Sequence, residues 1–283
     1  MRKVLLATTA LVAMSVTAAQ ADITIGGNIA FEMEDGGAGT TYTSDGEIAI
    51  KSSTTTDSGL TVGAVFAQHT TSTVAIAAGN DTANPSTADS YISIGGDFGT
   101  IIMGDHANAL DRMDGVLPQN MDLESVGDSG VTSVIGGQIT GISFMAPTIS
   151  GVSVYGATNA EGEENGMGVN YKNGPVTVMY QTGQDGNSEE SALGASFTMS
   201  GLTLAAGSVE AVVAGTKSKY RSMGVKYTMG DITLVSTSQK KVGGASYTNI
   251  GAKYAVAPGL SVAIESGSQG SETATWAQVN VAF

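Results

Sequence analysis

The sequence predicts an all-β chain, a 16-stranded antiparallel transmembrane β-barrel, on three observations. Apolar and polar residues alternate with period two along most of the chain, which marks strands with one greasy face. An aromatic residue returns at nearly constant spacing, at Phe144, Tyr171, Phe197, Tyr227, Tyr254 and Phe283, in steps of 27, 26, 30, 27 and 29 residues. The connections alternate between short and long. A repeat of two strands, one short turn and one longer loop is a β-hairpin unit, and it sets one aromatic of each hairpin at the same height. A ring of such aromatics marks the interface of a membrane barrel.

The N-terminus reads as a leader. Met1-Arg2-Lys3 precedes an apolar run from Val4 to Val16 and then Ala19-Gln20-Ala21, a signal peptide over 1–21 that leaves a mature barrel over 22–283. The run of 13 residues is shorter than the ~20 a spanning helix needs. The mature part sets 26 acidic against 10 basic residues, a formal charge of −16, and that sign argues against a nucleic-acid partner. Cysteine is absent, so disulfides and thiol chemistry are excluded, and 39 glycines against 5 prolines suit many strands and turns.

From Asp22 onward Ile23, Ile25, Ile29 and Phe31 alternate with Thr24, Gly26, Asn28 and Ala30, and the same period returns at Leu60-Val62-Ala64-Phe66 and Val176-Val178-Tyr180. The pattern predicts strands over 22–33, 47–53, 58–69, 88–95, 98–104, 132–146, 152–159, 166–172, 175–182, 190–198, 202–210, 219–228, 231–239, 246–255, 259–267 and 272–283. Short turns such as Asn173-Gly174 and Met229-Gly230 alternate with longer polar stretches at Asp35 to Asp45, Asn80 to Thr87, Glu161 to Asn165, Asp185 to Glu190 and Ala211 to Thr216. Short turns on one rim and long loops on the other is the outer-membrane arrangement.

A backbone in lipid cannot leave its amides unpaired, so the last strand has to pair with the first. Over 272–283, Ala277, Val279, Val281 and Phe283 share one face. This ending resembles the C-terminal assembly signal of bacterial outer-membrane barrels, with Val279, Val281 and Phe283 as the recognised residues and the barrel assembly machinery as the partner.

One connection is much longer. Between Gly104 and Val131 lie Asp105, His106, Asp111, Arg112, Asp114, Asp122, Glu124 and Asp128, with Leu110, Met113, Leu117 and Met121 roughly at helical spacing. A loop beyond ~15 residues is usually functional, and the apolar residues could anchor a turn of helix against a wall.

Three segments carry a family resemblance: Lys3-Val4-Leu5-Leu6-Ala7-Thr8-Thr9-Ala10-Leu11-Val12-Ala13, Thr55-Thr56-Asp57-Ser58-Gly59-Leu60-Thr61-Val62-Gly63-Ala64, and Ile92-Ser93-Ile94-Gly95-Gly96-Asp97-Phe98-Gly99-Thr100-Ile101-Ile102-Met103-Gly104-Asp105. They resemble the Rhodobacter-type porins of alphaproteobacteria, trimeric 16-stranded general diffusion porins. The resemblance implies a homotrimer in the outer membrane and an inward-folded third loop, here 105–130. Asp105, Asp111, Arg112, Asp114, Asp122, Glu124 and Asp128 would then line the pore constriction, where low-dielectric walls focus the field and favour cations. It also implies passive diffusion of ions and small hydrophilic solutes. That family usually sets an arginine cluster opposite the acidic loop, whereas the mature chain has only Arg112 and Arg221. Alternation from Ile48, Ile50, Tyr171, Tyr227 and Tyr254 places Lys51, Lys172, Lys226 and Lys253 on the lumen face near short turns, as a sparse basic wall or as rim lysines meeting water and nearby carboxylates.

Other classes find less support. An outer-membrane hydrolase would have to build its triad on His69 or His106, neither in a nucleophile motif, so no enzyme is expected. No cofactor is expected either; Glu161-Gly-Glu163-Glu164 and Asp111-Arg-Met-Asp114 offer oxygens for calcium without the spacing of a known loop. A secreted or surface-anchored adhesin built as a β-sandwich is the alternative, but it leaves the aromatic series unexplained.

If Phe283 is an assembly element, deleting it leaves export and signal cleavage intact while the heat-modifiable, folded form at the outer membrane falls sharply. Assembly of the truncated chain at the parental rate and yield would refute that role.

Overall fold

A computed structural model describes residues 21–37, 39–75, 80–110, 116 and 137–283, with backbone alone over 72–75 and 80–88. The alternating segments become β1 Asp22–Gly36, β2 Gly39–Thr55, β3 Thr61–Ala75, β4 Asn80–Gly96, β5 Gly99–Ala107, β6 Gln138–Met145, β7 Val152–Asn159 and β8 Glu164–Asn173. The second half supplies β9 Val176–Asp185, β10 Ser188–Met199, β11 Leu202–Val213, β12 Thr216–Met229, β13 Ile232–Lys241, β14 Ser246–Ala257, β15 Leu260–Gln269 and β16 Glu272–Ala282. Each strand pairs with its sequence neighbours, and β1 pairs with β16, closing one barrel.

The seam runs antiparallel from Asn28 opposite Ala282 to Asp35 opposite Thr275. Below it, the Phe283 amide donates to the Gly27 carbonyl at 2.9 Å and the Gly27 amide donates to the Phe283 carbonyl at 3.0 Å. A closed barrel has no free edge for lipid to meet. The β-sandwich expected of an adhesin is therefore not the fold.

Register assigns two faces. Outward point the large apolar residues of each strand, among them Ile29, Phe31, Ile50, Phe66, Ile142, Leu193, Leu234, Ile250 and Ile264, all exposed. Inward point small and polar residues: Ala30, Ala49, Ala67, Gln181, Glu190, Thr237, Asn249 and Glu265 are all buried. An apolar exterior around a polar interior matches lipid outside and water within. Phe144, Tyr171, Phe197, Tyr227, Tyr254 and Phe283 all take the outer parity near the rim that carries the chain termini. They are the lower aromatic girdle.

The expected long loops are mostly strand instead. The chain turns within two residues between Asp185 and Ser188 and between Val213 and Thr216, and β1 and β2 run on to Gly36 and Gly39. Ala214 and Gly215 have φ of 48° and 78°, the backbone that a two-residue hairpin of matching twist requires. These polar strand ends are continued hairpins, 15 to 17 residues long over β1–β4, so the wall is tallest there. The one long connection joins β5 to β6. Its residues 111–115 and 117–136 lie outside the described residues.

The seam is tightly packed at Gly27, where an added Cβ would stand 2.1 Å from the Glu47 carbonyl oxygen and 3.1 Å from the Phe283 ring. Gly27→Val should therefore force backbone movement between β1 and β2 and weaken the barrel by about 1–3 kcal/mol. A lowered urea midpoint of the folded band on unheated gels checks this; an unchanged midpoint refutes it.

Candidate functional site

The site is the lumen, and its wall follows from inward parity on each strand. On β6 to β11 the inner face is closely packed, with Ile139, Tyr155, Ala157, Met179, Ala192 and Val209 buried in one cluster that also holds Ala109, Leu110 and Val116. Those last three belong to the β5–β6 connection, so its first turn lies against the inner wall.

Two glycines make that contact possible. Gly166 on β8 and Gly183 on β9 are cross-strand partners, and a Cβ on them would stand 2.7 Å and 3.3 Å from Leu110 Cδ1. Glycine in a strand interior often marks the close approach of another group; here a dimple receives Leu110, which is 1% exposed. Asn108 fixes the turn: its Nδ2 donates to Glu164 Oε1 at 2.6 Å and its Oδ1 accepts from the Leu110 amide at 3.0 Å. Beside this, Tyr155 lies across Gly168 and donates from its hydroxyl to Gln181 Oε1 at 3.1 Å.

Acidic groups dominate the wall on the side of the connection. Glu32, Asp45 and Glu47 share inner parity on β1 and β2, and Glu190 and Glu265 are buried on β10 and β15. Gln278 donates to Glu32 at 2.6 Å, Asn249 donates to Glu265 at 3.2 Å, and Thr71 donates to Asp45 at 2.9 Å. His69 stands 2.6 Å from Asp45, directly opposite Glu47.

Lys51, Lys172, Lys226 and Lys253 have inner parity, each within four residues of its strand's end at the terminal rim. They are exposed, and no ion pair joins them among the described residues.

Of the residues expected at the constriction, Asp105 is the one that is described, and it does not face the lumen. It is opposite Ser90 and Thr140, on the parity of Ile101 and Met103, whose partners Ile92, Ile142 and Phe144 face outward. The strand continues two residues further than Asp105 before the chain turns in, and that count sets its outward face. Asp111, Arg112, Asp114, Asp122, Glu124 and Asp128 lie outside the described residues. The acids Glu32, Asp45, Glu47, Glu190 and Glu265 were not singled out from sequence, although parity from the neighbouring Phe31, Ile48 and Ile264 marks several of them.

Catalytic geometry is thin. His106 Nε2 lies 2.8 Å from Ser143 Oγ, but its Nδ1 meets the Gly104 carbonyl at 3.0 Å, not a carboxylate. Both side chains are almost wholly buried, at 2% and 1% exposure, so a substrate cannot reach them. They brace β5 against β6.

A closed barrel with an apolar belt, an aromatic girdle and a polar lumen defines an outer-membrane channel. Over residues 7–280 the chain matches the model of the Gram-negative porin family, and it belongs to that family. Among solved structures it is similar to the trimer form of in-vitro folded OmpT, an outer membrane protein of Vibrio cholerae, at a TM-score of 0.73 and 10% identity over 93% of this chain and 99% of that one. A mutant of Rh. blastica porin superposes at 0.69 with 19% identity over 93% and 100%. Salmonella typhi OmpF in complex with daunomycin does so at 0.71 with 13% identity over 92% and 97%. At these identities the likeness is one of fold. No curated protein sequence matches the chain.

Emptying the dimple tests whether it holds the connection. Leu110→Ala should cost about 2–5 kcal/mol of local packing and raise open-channel noise in planar bilayers while heat-modifiability stays intact. Noise at the parental level would show that the contact does not anchor the connection.

Proposed function

We propose that this porin is a cation-preferring passive diffusion channel for ions and small hydrophilic solutes, constricted by the β5–β6 connection. The observation that carries the reading is the run of inward carboxylates on the connection side of the lumen. Glu32, Asp45 and Glu47 stand on adjacent strands there, whereas Lys51, Lys172, Lys226 and Lys253 are confined to the terminal rim. Charges on a low-dielectric wall raise the local concentration of counter-ions more than the same charges outside. The connection adds Asp111, Asp114, Asp122, Glu124 and Asp128 against Arg112; seating Leu110 on the inner wall supports routing this acidic segment through the lumen. The trimeric form of the OmpT relative supports a homotrimer. An outward Val279, Val281 and Phe283 at the barrel's last strand supports a role in assembly.

Reversal potentials in a potassium chloride gradient test the selectivity. The parent should prefer potassium, and Glu32→Gln with Glu47→Gln should lower the cation-to-anion permeability ratio by about twofold or more, as expected when carboxylates are removed from a focused field. An anion-selective parent channel would overturn the proposal.

A further inference from the structure

Of the chain's 12 lysines and arginines, six fall between 217 and 241. Register divides them between the two faces. Lys226 and Lys241 point inward, while Lys217, Lys219, Arg221 and Lys240 take the outer parity of Met223, Val225 and Leu234. Arg221 and Lys240 are directly opposite one another on β12 and β13, and like charges so placed repel.

Among the described residues one carboxylate only partly neutralises this cluster. Glu210 pairs with both Lys217 and Lys219, and Glu189 stands a strand further round, opposite Val212. Among the described residues no carboxylate pairs with Arg221 or Lys240. Beside the pair is an outward cavity of about 390 Å³ whose lining includes Arg221, Met223, Ser238, Lys240, Val242 and Ser246. Hydroxyls and cations on its floor are groups that bind phosphate oxygens.

Height decides the source of the anion. Arg221 lies eight residues above Met229, the end of β12 at the terminal rim. At ~3.3 Å per residue and a tilt of ~40°, that is roughly 20 Å up an apolar band ~25 Å tall. Met223 and Ile250, 65% and 67% exposed, continue the lipid-facing surface immediately below. A ligand seated there has acyl chains beneath it and its headgroup at the cations.

We propose that the outer face of β12 and β13 binds the phosphate-bearing headgroup of a glycolipid in the leaflet on the connection side, with Arg221 and Lys240 as the phosphate-binding pair. The bound phosphate relieves the repulsion between them. Lys217 and Lys219, shared with Glu210, add longer-range attraction.

Titrating the folded full chain in neutral detergent with diphosphoryl lipid A tests the site. R221Q/K240Q should weaken lipid A binding by about tenfold or more. K241Q, which removes one charge at the same height from the inner face, should change it less than about twofold, because the wall separates it from the headgroup. The folded fraction of each variant is read from heat-modifiability, so misfolding is not mistaken for lost binding. Unchanged affinity in folded R221Q/K240Q would overturn the proposal. So would displacement of the lipid by inorganic phosphate at equal concentration, which would make this a site for free anions. In the cysteine-free parent, S238C forming disulfide-linked dimers in the membrane would show a subunit contact and equally overturn it.

Discussion

Pairing of the first strand with the last is the interaction on which the rest depends. A backbone amide left unpaired in hydrocarbon costs several kcal/mol, so the sheet keeps two costly edges in lipid until β1 meets β16. The two hydrogen bonds between Gly27 and Phe283 complete that seam at the very end of the chain. Gly27 lacks a side chain where the Phe283 ring and the Glu47 carbonyl crowd in, so the terminal aromatic can lie against the wall at its own backbone partner.

Closure creates the functional site by dividing space. Once the sheet is sealed, alternation sends every second residue inward and the others into lipid, and the inward ones meet water except on β6 to β11, where they pack with Leu110. The lumen needs no separate device to become polar. The dimple made by Gly166 and Gly183 gives the first turn of the β5–β6 connection a seat on the inner wall. The inward charges then sort largely by height, with Glu32, Asp45 and Glu47 on the connection side and Lys51, Lys172, Lys226 and Lys253 at the terminal rim, Lys241 being an inward lysine on the connection side. On the outside, the cations of β12 and β13 stand where the apolar belt ends.

Strand count and face were legible because lipid enforces them. The alternation of Ile23, Ile25, Ile29 and Phe31, or of Val279, Val281 and Phe283, is required wherever a wall separates oil from water. Strand ends were not legible in this way. Above the membrane both faces of a hairpin meet water, so segments such as Thr40 to Gly46 lose the alternation and read as loops, although they continue β2. Lys172, Lys226 and Lys253 could be placed from an aromatic neighbour one residue away, and Lys51 from Ile50. Asp105 could not, since its face depends on how far β5 runs before the chain turns inward.

The sequence by itself determined a cysteine-free, acidic chain of sixteen amphipathic strands, because those properties are local and periodic. Only the tertiary structure decided that Leu110 sits beneath Gly166 and Gly183, more than fifty residues away in the chain. It also set His69 against Asp45, and Arg221 opposite Lys240 with no acidic partner among the described residues. Such pairings arise from strand register and from the closing of the ring, which bring distant residues together with no periodic trace in the sequence.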